Sequence, residues 1–188
     1  TSSSPLLVTG GHTYKQVSAG TGHNCAVTSN SHIYCWGWNN YSQLASSGAN
    51  APLPVLIANP TGTGSSTNQT WSSVSAGGRH TCAVTTGDEA YCWGRNDDGQ
   101  LGSGATGGST GVPQLLTGTQ KAWASIDASE FTTCGVTTSG AAYCWGDNES
   151  GQLGNGSKSM NEASPQEVTG GNTWASLTAG TAHTCRVT

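Results

Sequence analysis

One stretch, Cys82 to Gly102 (CAVTTGDEAYCWGRNDDGQLG), recurs along the chain and limits what it can fold into more than any other feature. Upstream the same pattern reads CAVTSNSHIYCWGWNNYSQLASSG, from Cys25 to Gly48. Downstream it reads CGVTTSGAAYCWGDNESGQLGNG, from Cys134 to Gly156, and a fourth copy begins as CRVT at Cys185. The leading cysteines at 25, 82, 134 and 185 set successive periods of 57, 52 and 51 residues. A near-constant period of this size marks a repeat architecture, in which each unit buries its apolar face against its neighbours.

Each full copy holds two cysteines ten residues apart: Cys25/Cys35, Cys82/Cys92 and Cys134/Cys144. Alternating apolar and polar residues around a turn-prone centre predict a β-hairpin between them. With Cys82 opposite Cys92, Val84 faces Ala90, Ala83 faces Tyr91 and Thr86-Gly87-Asp88 form the loop. The same register sets Val27 against Ile33 and Val136 against Ala142. Directly opposed Cβ atoms lie about 4.5–5.5 Å apart, within reach of a disulfide. Three intra-hairpin disulfides are therefore expected, each worth about 3 kcal/mol in the chain-entropy account. Zinc is the rival, because His23, His80 and His183 each precede the leading cysteine by two residues and share its strand face. The third copy has Thr132 at that position and keeps both cysteines, and zinc motifs favour closer cysteine spacings. No metal and no cofactor are expected.

Paired cysteines point to an oxidising compartment, hence a secreted or extracellular protein. The chain opens at Thr1 without an initiator Met, so a signal peptide is expected to have been removed or to lie outside this sequence. The asparagines of four Asn-x-Ser/Thr tripeptides, Asn40, Asn68, Asn148 and Asn155, are then candidate glycan acceptors. Only 9% of residues are charged, against a usual ~25%. Six basic residues and a net charge of −4 offer no patch for a phosphate backbone, which argues against nucleic acid as a partner. No apolar run approaches the roughly 18–20 residues that span a bilayer.

Taken in order, Pro5-Leu6-Leu7-Val8 is a short strand, matched by Pro54 to Ile57, Pro113 to Leu116 and Pro165 to Val168. The proline at the head of each suggests an edge strand, since it cannot donate to a ladder. A second strand follows at Tyr14 to Ala19, Trp71 to Ala76, Trp123 to Ala128 and Trp174 to Ala179, and then come the two hairpin strands. Residues 1–48 form repeat 1, and 49–70 a Gly/Ser/Thr-rich inter-repeat loop with one outer strand. Repeat 2 is 71–104, repeat 3 is 105–156, and 157–188 is the first half of repeat 4. Four short antiparallel strands per ~50 residues, with no helical periodicity, predict an all-β fold of β-propeller blades.

Trp-Gly-x-Asn-x-x-Gly-Gln-Leu-Gly, at Trp93 to Gly102 and Trp145 to Gly154, resembles the regulator of chromosome condensation repeat. So does Ala-Gly-x-x-His-Thr-Cys-x-Val, at Ala76 to Val84 and Ala179 to Val187. The first copy departs from it with Tyr41-Ser42-Gln43-Leu44-Ala45, the third with Ser129-Glu130-Phe131-Thr132, and the cysteine pairs are not part of the basic motif. The resemblance implies blades of a ring that usually has seven, so three and a half repeats are expected to be a partial or excerpted propeller. Cys185 would be unpaired or find an external partner. Photoreceptor members of the family carry Trp in Gly-Trp-Arg-His-Thr; Gly77-Gly78-Arg79-His80-Thr81 has Gly there, so photoreception is not expected.

Trp36, Trp93 and Trp145 share one repeat position and Trp71, Trp123 and Trp174 another, which predicts blade core. His23, His80 and His183 are expected to hydrogen-bond backbone between blades. Asn96-Asp97-Asp98-Gly99 and Asp147-Asn148-Glu149-Ser150 carry oxygen ligands of the kind calcium takes, but turn stabilisation explains them more simply. No nucleophile–base set and no phosphate-binding loop occurs, so no catalytic residue is assigned. The function expected is a non-enzymatic extracellular module for protein–protein interaction or self-assembly in a surface layer, adhesin or filament. The alternatives are a lectin-like propeller stacking Trp38 and Tyr41 on carbohydrate, and nucleotide exchange on a small GTPase, which the resemblance suggests.

Overall fold

The computed structural model describes residues 4, 7–46, 48–60, 70–118, 122–171, 173–181 and 183–187. Strands β1 (Tyr14–Ala19), β2 (His23–Thr28), β3 (Ile33–Gly37) and β4 (Ala51–Ile57) form the first sheet, in that order. The second sheet is β5 (Trp71–Ala76), β6 (His80–Thr85), β7 (Ala90–Arg95) and β8 (Ser109–Leu115). The third is β9 (Trp123–Ala128), β10 (Thr132–Thr137), β11 (Ala142–Asp147) and β12 (Asn161–Glu167). A two-stranded fourth sheet pairs β13 (Ser176–Ala179) with β14 (Thr184–Val187). Strands β1, β5, β9 and β13 lie innermost and pack side by side, so the sheets are successive propeller blades. No helix among the described residues is long and apolar enough to cross a membrane.

The hairpins pair as the cysteine spacing requires: Cys82 opposes Cys92, Ala83 opposes Tyr91 and Val84 opposes Ala90. In all three, Cys25–Cys35, Cys82–Cys92 and Cys134–Cys144 are disulfide-bonded with Cα atoms 4.1 Å apart. Each pair occupies a site where strands approach closest, between hydrogen-bonded rungs. The three-residue loops end on a residue in the left-handed region, Ser31, Asp88 or Gly140 (φ 63°, 62° and 85°), as a type I turn plus one left-handed residue requires. That conformation aims the residue's carbonyl at the next blade. Trp71 N–H donates to Ser31 O (2.9 Å), Trp123 N–H to Asp88 O (2.8 Å) and Trp174 N–H to Gly140 O (2.9 Å).

The proline-bearing strands depart from expectation in two ways. Pro54, Pro113 and Pro165 lie inside β4, β8 and β12, at a bulge opposite Trp36, Trp93 and Trp145. These strands are edges, but each closes the blade it follows rather than opening the next. The second sheet therefore spans 71–115, with the boundary expected at 104 falling between its third and fourth strands, and the third sheet runs on to 167. Leu7 and Val8 are in no strand, Pro5 and Leu6 lie outside the described residues, and Trp174 precedes β13 rather than opening it.

The turn after β3 shows why the first copy can abandon its glycines. Gly99 and Gly102 have φ of 78° and 63°, and Ser42 and Ala45 adopt the same geometry at 62° and 50°. A Cβ on Gly99 would sit 2.8 Å from Ala163 Cα in the next blade. In the first copy the facing residue is Gly111, whose own Cβ would meet Ser42 Cβ at 3.3 Å. One partner of each pair is a glycine, and which one differs. Left-handed geometry costs a non-glycine about 1–2 kcal/mol, offset in part by the entropy glycine loses on folding. Urea unfolding should show Ser42→Gly stabilising by up to about 1 kcal/mol, and Gly99→Ala destabilising by about 2 kcal/mol or more, since it meets both strain and overlap.

Candidate functional site

The loop after β3 is organised by a buried asparagine. Asn39, Asn96 and Asn148 accept from Leu44, Leu101 and Leu153 N–H (2.9, 3.1 and 3.2 Å). Their amides donate onward to the Ser46, Ala105 and Ser157 carbonyls. The glutamines close a tighter turn, with Oε1 of Gln43, Gln100 and Gln152 accepting from Tyr41, Asp98 and Ser150 N–H. Leu44, Leu101 and Leu153 are buried by this fold of the loop, and the glutamine carbonyl is left facing the next blade.

That carbonyl is the joint. Trp93 Nε1–H and Thr81 Oγ1–H both donate to Gln43 O (2.9 Å each). Trp145 Nε1–H and Thr133 Oγ1–H donate to Gln100 O (3.0 and 2.8 Å), and Thr184 Oγ1–H donates to Gln152 O (3.2 Å). His23 Nε2 lies 2.8 Å from Thr81 Oγ1, and His80 Nε2 2.8 Å from Thr133 Oγ1. Each threonine has already given its one proton to a carbonyl, so the histidine must donate through Nε2–H. Burial lowers the His23 pKa to about 4. It lowers that of His80 to about 3, with His23 and Arg95 adding to the effect.

Contrary to the expectation that they bond backbone, His23 and His80 each meet a threonine hydroxyl of the next blade, which stands between the ring and the carbonyl. Thr132, in the histidine's place, donates to Asp147 O of its own sheet (3.2 Å). The His183 side chain is exposed, and Cys185 is exposed with a free thiol. Trp93 and Trp145 are buried and pack against Trp71 and Trp123, with ring centroids 5.9 and 5.7 Å apart. Trp174 is buried and Trp36 half-buried. The innermost strands are stitched by Ser18, Ser75 and Asp127, which accept from Ala76, Ala128 and Ala179 N–H of the next blade (2.9, 2.9 and 2.7 Å).

Of the glycan candidates, Asn40 is exposed and Asn155 half-buried, and Asn68 lies outside the described residues. Asn148 is ruled out in the folded protein, because it is wholly buried and its amide nitrogen is hydrogen-bonded to Ser157 and Ser159. The acidic turn residues Asp97 and Asp98 are taken by Arg95, at 2.7 and 3.5 Å. No cluster of three metal-ligating side chains exists among the described residues.

What remains at the surface on this end of the blades lies between the motif positions. The Tyr41 ring lies under Arg79 (5.3 Å) and Arg95 (6.0 Å), and Arg95 also covers Phe131 (5.3 Å), a cation–π ladder across three blades. Tyr41 is therefore not the free stacking surface expected of it. Trp38 is 54% exposed and its ring covers Gly22. Nearer the axis, Glu130 accepts from Thr21 Oγ1–H (2.8 Å), and its carboxylate fills the space a side chain on Gly78 would need. Sequence reasoning passed over Arg79, Arg95, Glu130 and Phe131 as functional residues; the signal that could have found them is that they differ from copy to copy.

Two family models, both described as the regulator of chromosome condensation (RCC1) repeat, match this chain, one over residues 14–43, 71–100 and 123–152. The other matches 30–84, 88–136 and 139–187, and the chain belongs to this family. The ultraviolet-B receptor UVR8 of Arabidopsis thaliana is 32% identical over 155 residues, covering 82% of this chain and 34% of that protein. This chain spans about a third of the length of that relative. Among solved structures, yeast RCC1 (Prp20) bound to Kap60 superposes with a TM-score of 0.80 at 20% identity, covering 91% of this chain and 41% of that one. The ectodomain of the receptor kinase CR4 of Physcomitrella patens gives a TM-score of 0.55 at 23% identity, covering 93% and 38%.

Thr133→Val keeps the shape of the joint but leaves His80 Nε2–H buried without an acceptor. It should cost about 2 kcal/mol in chemical unfolding. Thr184→Val, at a half-exposed joint with no histidine behind it, should cost less than about 1 kcal/mol.

Proposed function

We propose that this chain is a non-enzymatic protein-interaction module of an oxidising, extracellular compartment, with the loop end of its blades as the contact face. The observation that carries this reading is how side chains divide on that face. Most of those the copies share (His, Thr, Trp, Gln, Leu, Asn) are spent in the joints and the loops that frame them, while those that differ lie between them, Trp38 exposed and Arg79, Arg95, Glu130 and Phe131 half-buried. A rigid frame with a variable surface rich in arginine and aromatic rings suits partner recognition. Three buried disulfides fit a secreted protein. The yeast relative is seen with a protein partner and the moss relative as an ectodomain, in keeping with both halves of the reading. Self-assembly in a surface layer or filament would use the same face between copies. The carbohydrate alternative keeps one feature in its favour, the exposed ring of Trp38.

Two measurements test the two halves separately. Alkylation of the native protein under non-reducing conditions should label Cys185 alone; six further labels would end the extracellular reading. Cross-linking should then trap a partner or a second copy on wild type, and the Trp38→Ala/Arg79→Ala/Phe131→Ala triple variant should recover at least about tenfold less, the loss of one or two strong interface anchors. Equal recovery at an unchanged melting temperature would remove this face from the proposal, and capture of a glycan by Trp38 would favour the carbohydrate reading.

A further inference from the structure

We propose that the joints between the first and second sheets and between the second and third are acid-operated latches. Protonation of His23 and His80 opens them, while the joint between the third and fourth sheets stays shut.

The geometry leaves a second proton nowhere to go. Each imidazole already donates through Nε2 to Thr81 or Thr133 (2.8 Å). Nδ1 of both rings is buried and has no hydrogen-bond partner among the described residues. A proton added there creates a buried N–H without an acceptor and a buried charge without a counterion. Burial disfavours charge on both rings, and at His80 the neighbouring His23 and Arg95 add to that effect. The carboxylate that faces the glycine loops is Glu130, which lies over Gly78 and accepts from Thr21 Oγ1–H (2.8 Å).

The strain has a mechanical outlet. A Cβ on Gly77 would sit 3.0 Å from His80 Nδ1, and one on Gly20 would sit 3.0 Å from His23 Cε1, so these glycines close over the rings. Water can hydrate a charged ring only if the glycine loops lift. Those loops are also the clasp between blades: Thr21 N–H donates to Gly77 O (3.3 Å) and Gly78 N–H to Ser129 O (2.8 Å). Lifting a loop releases the neighbouring sheet and exposes Trp93 and Leu44, or Trp145 and Leu101. The third joint carries Thr132 instead of histidine and is held by Asp127, which accepts from Thr178 Oγ1–H and Ala179 N–H (2.9 and 2.7 Å).

The sign follows directly. A histidine whose folded pKa is depressed leaves the fold unaffected above the unfolded value of about 6.5 and destabilises it progressively as pH falls below that. Side-chain ¹⁵N NMR of the intact chain should show His23 and His80 as neutral Nε2–H tautomers that resist protonation to at least about one pH unit below the ordinary value. Hydrogen exchange corrected for intrinsic rates should show protection at Thr21 and Gly78 falling at least about tenfold between about pH 7 and 4.5, with Ala179 little changed. His23→Gln/His80→Gln supplies an uncharged donor to each threonine and should abolish that fall. Ordinary histidine titration, equal loss at Ala179, or an unchanged fall in the double variant would each overturn the latch. If the double variant does not fold, the tautomer and titration of the wild-type rings decide the matter.

Discussion

The backbone carbonyl of a glutamine in each loop after the third strand is the point on which the assembly turns. It belongs to one blade and takes its hydrogens from the next, a tryptophan N–H and a threonine O–H at Gln43 and again at Gln100. A carbonyl has two lone pairs, and this joint uses both at depth, where an unmet donor is costly. Everything local serves that atom. Asn39, Asn96 and Asn148 wrap the loop, the glutamine side chain closes its own turn, and Leu44, Leu101 and Leu153 pin it into the core.

A repeat protein gains stability from nearest-neighbour interfaces as much as from its units, and here the interfaces are visibly unequal. The first joint has room for the Ser42 side chain because the residue facing it across the joint is Gly111. The last has Thr132 in place of the histidine and, where the other joints have Ser18 and Ser75, the carboxylate of Asp127, which reaches both a hydroxyl and an amide of β13. The fold tolerates loss of a motif residue where a neighbour takes over its contact, so degeneracy in one copy is matched by a change in the sheet beside it.

The same economy separates frame from face. Histidine, tryptophan and asparagine are the residues a chemist would first suspect of activity, and here the repeated ones, the exposed His183 apart, are consumed in holding blades together or in shaping the loops between them. What is left for recognition is carried at positions free of those duties, and the cation–π ladder from Tyr41 through Arg95 to Phe131 ties three blades into one surface.

The chain's periodicity alone fixed the four-stranded unit, the hairpin register and the cysteine partners, because spacing and alternation act within about twenty residues and survive in every copy. Strand β5 could be read from Trp71 to Ala76 to the residue for that reason. Sequence could not assign the proline-bearing strands to their blades, since a strand after a long turn can close one sheet or open another until the turn's hydrogen bonds are known. Nor could it show that Thr81 and Thr133 stand between histidine and carbonyl, that Asn148 is buried beyond the reach of a glycan, or that Arg79 covers Tyr41. Those contacts join residues about thirty to sixty apart or depend on the path of a loop, and only the packing of one blade on the next brings them together.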